Sequence, residues 1–261
     1  MSVLNDLRSK IKIKRIVFSL LFIYLFVGVF LYLFQRSFIY FPVGSIKGHL
    51  HVEIFENQGN KTIASVLNRG NNKAIIYFGG NAEDVDFNAE AFAKIFPEYT
   101  VYLVKYRGYG GSAGEPTEEV LYSDAIHIYN EIKKNYKKIS VIGRSLGSGV
   151  ATYVASRKEV SKLVLITPFD SIQSIAQSKY PIYPMQIMLK DKYDSVSRVD
   201  RITAETLVLA AENDVVVERS NTDKLMKAFP KKVGFYIVSG SGHNDITAYP
   251  EFYSKLVDFF K

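Results

Sequence analysis

"ISVIGRSLGSGVA", Ile139 to Ala151, is the stretch on which the reading of the fold turns. A β-type apolar run leads into Gly-Arg-Ser-Leu-Gly, and small and apolar residues of helical character follow. Ser145 therefore sits at the centre of a strand-to-helix turn. A serine exposed on so sharp a turn draws neighbouring chain segments close, so the positions two before and two after it must be small. Gly143 and Gly147 occupy them. A helix opening at Leu146 points its N-terminus, with a free N–H on Leu146, at the place where negative charge would develop during attack by Ser145. The Gly-x-Ser-x-Gly spacing alone arises readily by chance in a chain with 17 glycines. A structural turn or a phosphate-binding loop would use the same residues, so the context must come from the rest of the chain.

Working outward, β-rich runs occur at His51–Glu56, Thr62–Asn68, Lys73–Phe78, Thr100–Lys105, Ile139–Ile142, Lys162–Thr167, Thr206–Ala211 and Val233–Val238. The first two have no helix between them and predict an antiparallel start. From the third onward helical patterns intervene, near Phe87–Ile95, Glu118–Lys133, Leu146–Ser156, Asn221–Phe229 and Pro250–Phe260. Thr117 is placed to N-cap the second of these, with Glu118 and Glu119 complementing the helix dipole. Strands separated by helices predict an α/β fold, a mostly parallel eight-stranded sheet covered on both faces. In such sheets functional groups collect in the loops at the carboxyl ends of the strands. "FGGNAED", "YRGYGGSAGEP", "GRSLGSG", "TPFDS", "ENDVVV" and "SGSGHND" all fall on that edge.

A serine hydroxyl needs a base, and the base needs an orienting acid. Of the four histidines, His49 and His51 lie near the N-terminal apolar segment and His127 lies within a helix, whereas His243 follows the last strand. His243 is the candidate base. Asp214 ends a buried-looking strand, where an unpartnered carboxylate would be costly, and is preferred as the acid over Asp170 in "TPFDS". Gly79 and Gly80 allow close approach of a substrate, so the backbone N–H of Asn81 can join that of Leu146 in an oxyanion hole. A tight turn after a strand would also account for these glycines. "GYGGSA", Gly108 to Ala113, fits a dinucleotide-binding pattern, but Gly114, Glu115 and Pro116 follow where a helix would have to begin.

The composition narrows the class. The absence of cysteine excludes disulfides, thiolate zinc sites and a cysteine nucleophile, and the histidines lack His-Glu-x-x-His spacing, so neither metal nor cofactor is expected. The net charge of +7 is concentrated at one end. Arg8, Lys10, Lys12, Lys14 and Arg15 stand against Asp6, which leaves only +3 for residues 36–261 and argues against a nucleic-acid partner. Ile16 to Phe34, "IVFSLLFIYLFVGVFLYLF", is uncharged for 19 residues, about 28 Å as a helix, which is close to the hydrocarbon thickness of a bilayer. No small-x-small cleavage site follows it. The expected organisation is a basic segment 1–15, a transmembrane anchor 16–34 and a catalytic domain 36–261. The basic cluster would stay in the cytoplasm and send the domain to the opposite face, periplasmic, lumenal or extracellular.

Taken together, "SFIYFP", "FGGNAED", "YRGYGGSAGEPTE", "GRSLGSGVA", "TPFDS" and "LKDKYDS" resemble the membrane-anchored α/β-hydrolase-domain serine hydrolases of the Bem46-like type, related to depalmitoylating acyl-protein thioesterases. The resemblance covers nearly all of residues 36–261. It implies the α/β-hydrolase fold with Ser145 as nucleophile, Asp214 as acid and His243 as base, acting on ester or thioester bonds of lipid-like or acylated substrates. Gly79 departs from it, since many relatives carry histidine there. Ser171 to Ile202 lies where such folds insert a lid and is short. Within it Tyr180, Tyr183 and Met185 are candidates to line an acyl pocket, or else they pack a short helix on the sheet. A serine peptidase of the same fold and a non-catalytic, membrane-tethered binding module are the alternatives.

Overall fold

The computed structural model describes residues 2–45 and 50–261, so that His49 lies outside the described residues. Eight strands form one sheet in the order β1-β2-β4-β3-β5-β6-β7-β8. They are β1 (Val52–Asn57), β2 (Asn60–Leu67), β3 (Lys73–Phe78), β4 (Thr100–Lys105), β5 (Lys138–Arg144), β6 (Lys162–Ile166), β7 (Glu205–Ala211) and β8 (Gly234–Val238). β1, β2 and β4 pair antiparallel, and every pair from β4–β3 to β7–β8 is parallel. The expected antiparallel start and parallel remainder are both present.

The central strands read as unbroken apolar runs because both faces are covered. Along β3, Ala74, Ile76 and Phe78 pack with α3 (Glu118–Lys133) and α4 (Leu146–Ala155), while Ile75 and Tyr77 join Phe92 of α2 (Ala89–Ile95) and Phe252 and Leu256 of α8 (Pro250–Phe260) on the other face. Thr117 caps α3 by accepting a hydrogen bond from the Val120 N–H. The helix expected near Phe87 starts later, because Val85–Asn88 forms a tighter 3-10 turn after the Asp84 side chain accepts from the Asp86 N–H. Between β6 and β7 lie α5 (Ile172–Lys179) and the single turn α6 (Met185–Met188), the short lid, and α7 (Arg219–Ala228) follows β7.

The N-terminal helix α1 runs from Ser2 to Ile39, longer at both ends than the apolar stretch 16–34. Residues Arg8–Ile39 are long and apolar enough to cross a membrane, and almost none of that surface is buried. Strand order reverses at β3, whose neighbours are β4 on one side and β5 on the other. Such a switch point opens a crevice at the carboxyl edge of the sheet. The β3–β5 register sets Phe78 opposite Gly143, which brings the loop after β3 beside Ser145.

Candidate active site

Ser145 is held at φ 49°, ψ −117°, a strained conformation for a residue with a side chain. Its N–H donates to Ile166 O at 2.9 Å and its carbonyl accepts from Ser148 N at 2.8 Å, which fixes the turn from both sides. A Cβ on Gly143 would lie 2.3 Å from Gly147 O, and one on Gly147 would lie 2.0 Å from Phe78 O. The small residues flanking Ser145 are therefore demanded by backbone contact.

Three residues far apart in sequence meet here. His243 Nε2 lies 2.8 Å from Ser145 Oγ, and His243 Nδ1 lies 2.7 Å from Asp214 Oδ2. The histidine and aspartate side chains are nearly buried, at 7% and 8% exposure, so the pair is largely removed from water. Asp214 is fixed by its own loop, since Oδ1 accepts from the N–H groups of Val216 and Val217 at 2.9 and 2.8 Å. Arg144 donates to the carbonyls of His243 and Asn244 at 3.3 and 3.1 Å, tying the histidine loop to the serine turn. Asp170, the competing acid, is elsewhere. Its carboxylate accepts from Asn221, Ser174 and Lys224 and joins the lid helix α5 to α7. Burial pushes the Asp170 carboxyl up, but those hydrogen bonds outweigh it and hold the group below its ordinary value.

Leu146 is the first residue of α4, so its N–H has no partner within the helix. Asn81 and Leu146 line the same groove as Ser145. The Asn81 side chain is held in place, its Oδ1 accepting from Phe41 N, Tyr109 Oη and Ala82 N at 2.9, 2.8 and 3.0 Å. Phe41 belongs to "SFIYFP", and that motif thus fastens the end of α1 to the loop after β3.

The brace of this loop is Glu83, which the sequence reading missed. Its carboxylate accepts from Gly80 N at 2.5 Å, Tyr77 Oη at 2.7 Å and Asn88 Nδ2 at 2.7 Å, and it faces Arg144 at 3.4 Å. Gly79 leaves the room for this, since a Cβ there would meet Val85 Cγ1 at 2.5 Å and Glu83 Oε2 at 3.3 Å.

Two depressions meet at Ser145. One is an apolar groove of about 350 Å³, walled by α1 and the lid, with Tyr180 and Met185 along it. The other is a polar cleft of about 430 Å³ that holds Gly80, Asn88, Arg144, His243 and Asn244. Tyr183 lines neither and packs instead, against α1 and not the sheet, its ring stacked on Tyr24 with centroids 4.7 Å apart. Among the described residues no group of three or more His, Cys, Asp or Glu side chains is arranged to hold a metal ion. The glycines of "GYGGSA" form a turn in which Ser112 Oγ donates to Lys105 O and accepts from Ile63 N, and the next helix opens only at Glu118.

Known proteins carry the same framework. A family model described as alpha/beta hydrolase fold matches residues 73–186. An uncharacterized protein of Mycobacterium tuberculosis is 33% identical over 181 residues, covering 67% of this chain and 64% of that protein. Alpha/beta hydrolase domain-containing protein 17C of Xenopus tropicalis is 25% identical over 198 residues, 73% of this chain and 62% of that protein. The chain thus spans less than two thirds of the length of these curated relatives. Among solved structures, the Pyrococcus furiosus esterase Pf2001 superposes with a TM-score of 0.64 at 18% identity over 85% of this chain and 96% of the esterase, a likeness of fold alone. The chain has the α/β-hydrolase fold, with an eight-stranded, mostly parallel sheet, helices on both faces and, among the described residues, one N-terminal apolar helix.

Proposed function

We propose that the protein is a membrane-anchored serine hydrolase of the Bem46-like type that cleaves carboxylic ester or thioester bonds in lipid-like or acylated substrates. The observation that carries this reading is His243 set between Ser145 and Asp214 at 2.8 and 2.7 Å, where an apolar groove meets a polar cleft. In the proposed reaction Ser145 Oγ attacks the acyl carbonyl while His243 Nε2 takes its proton. Asp214 accepts from Nδ1–H, which fixes the tautomer and stabilises the imidazolium. The N–H groups of Asn81 and Leu146 receive the oxyanion, next to a histidine and aspartate that are themselves nearly buried. His243 then passes its proton to the leaving oxygen or sulfur, and a water molecule repeats the sequence to release the acid from Ser145.

The two depressions give the substrate a polarity. The leaving group must end beside the histidine that protonates it, and His243 lies in the polar cleft. The acyl part then occupies the apolar groove, which lacks that histidine among its walls. The domains follow as residues 1–15 cytoplasmic, 16–34 in the membrane and 36–261 on the opposite face, because five basic residues precede the span and Arg36 alone follows closely. A fluorophosphonate probe should label Ser145 in the folded protein and fail to label Ser145→Ala. Folded wild-type protein that takes up no probe would refute the nucleophile and favour a binding module. A reporter fused after Lys261 and active only outside the cytoplasm tests the orientation.

A further inference from the structure

The lid and α1 are built as one unit. Tyr24, Gly28, Leu31 and Gln35 recur at helical spacing and form one face of α1. Against that face lies the lid. Tyr24 Oη donates to Ile182 O at 3.0 Å and Tyr183 Oη donates to Tyr24 O at 3.1 Å. Gly28 lets the Tyr183 ring approach, since a Cβ there would lie 3.1 Å from Tyr183 Cε1. Gln35 donates to Met188 O and accepts from Lys190 N, and Arg36 pairs with Asp191 at 2.9 Å.

This contact fixes the depth of the lid, given that α1 spans the bilayer through Ile16–Phe34. Tyr24 lies about 15 Å below Phe34 along the helix, half the hydrocarbon thickness of ~30 Å. Were the lid held in water, only Ile16 to Ile23 would remain to cross, about 12 Å, with Lys14 and Arg15 directly beneath. That is too short. Part of the lid's irregular backbone has the partners within the protein that hydrocarbon would require. Carbonyls of Pro181, Ile182, Tyr183 and Met188 accept from Gln177, Tyr24, Gln177 and Gln35, and Met185 N donates to Gln177 Oε1. Ile182 and Ile187 meanwhile turn outward, 69% and 82% exposed, where water would disfavour them and lipid would not.

The geometry points to a groove that loads sideways from the bilayer: α1 itself, through Leu31, Phe38 and Ile39, forms one wall of the acyl site, and a long acyl chain of a membrane-resident ester or thioester slides between α1 and the lid to bring its carbonyl to Ser145. Met185 and Leu189 form the facing wall. Leu31 lies within the span and Ile39 beyond it, about 12 Å apart, so the groove begins at hydrocarbon depth and ends at the serine. The chain need never cross water. The placement rests on the hydrolase and membrane-span readings above.

The test uses the full-length protein in phosphatidylcholine vesicles. Because the chain has no cysteine, Ile182→Cys can carry a single bimane, with Glu56→Cys on the exposed far strand as control. Phosphatidylcholine bearing a nitroxide on its acyl chain should quench the label at 182 at least twofold more than at 56, and equal quenching would overturn the embedded lid. In parallel, kcat/KM is measured for 4-nitrophenyl butyrate and palmitate. Leu31→Trp should lower the palmitate-to-butyrate ratio at least tenfold. An unchanged ratio, with butyrate still cleaved, would overturn the α1 wall while the hydrolase reading stands. If wild type cleaves neither ester, the hydrolase reading falls and the groove's substrate with it, whereas the quenching still decides the depth of the lid.

Discussion

Glu83→Ala removes one nearly buried carboxylate that three donors and an arginine share, and its cost can be worked from those contacts. Gly80 N, Tyr77 Oη and Asn88 Nδ2 lose their acceptor, and Arg144, itself 12% exposed, loses its counter-charge. Breaking a buried ion pair from one side costs about 3–5 kcal/mol. Some water can reach Arg144, so the lower end applies, and with ~2–4 °C per kcal/mol for a domain of this size the unfolding temperature should fall by roughly 6–12 °C. Activity should suffer separately. Gly80 precedes the proposed oxyanion donor Asn81, and Arg144 holds the carbonyl of His243, so both the donor and the base lose a support. Deleting an oxyanion donor outright costs about 10²–10³ in kcat. Here it is displaced and not deleted, so a loss of about 10² is expected, chiefly in kcat. The assay is an activated short-chain ester at a temperature where circular dichroism shows the variant folded. A folded Glu83→Ala enzyme within about threefold of wild-type kcat would refute the claim that Glu83 positions the loop.

Three further outcomes are expected. Ser145→Ala should abolish ester hydrolysis without lowering the unfolding temperature, and retained turnover would remove Ser145 from the chemistry. Asp214→Asn should reduce kcat by about 10⁴-fold, the scale for a wrongly oriented histidine, whereas Asp170→Asn should leave kcat far less affected. Asp170→Asn should instead destabilise the fold in a pH-dependent way. Its native carboxyl lies below the ordinary value, so its stabilisation is complete above about pH 4 and is lost as pH falls through the lower native value. Thermal unfolding of the two proteins should therefore differ most near neutrality and converge in acid, and a gap that widened on acidification would contradict the sign.

Much of the scaffold was legible because the sheet is covered on both faces. β3, β4, α3 and α8 begin and end where the apolar runs and the capping residues put them. Where the reading missed, local energetics had been decided by something other than periodicity. β5 extends through Arg144 because the strand continues pairing with β6 up to the strained serine, Arg144 lying opposite Ile166. The start of α2 is delayed because Asp84 offers the chain a tighter turn first.

The site divides along a different line. Gly143, Ser145, Gly147, Asp214 and His243 were visible because strand-end loops confine chemistry to one edge, and the register of β3 against β5 does the rest. Glu83 was not visible, since an acid in a polar loop reads the same whether it faces water or accepts from three buried donors. The role of α1 was hidden for a related reason. Hydropathy reports that a helix prefers lipid, but Tyr24, Gly28 and Gln35 are ordinary members of such a run, and what distinguishes them is the lid segment 182–190 packed against them. Those partners lie roughly 150 positions away, and a contact at that separation leaves no periodic trace. The same contact accounts for the place of Tyr183, which the sequence left open between lining an acyl pocket and packing a short helix: α1 offers it a glycine notch and a carbonyl acceptor, and a tyrosine with both its ring and its hydroxyl satisfied there has no reason to turn toward the groove.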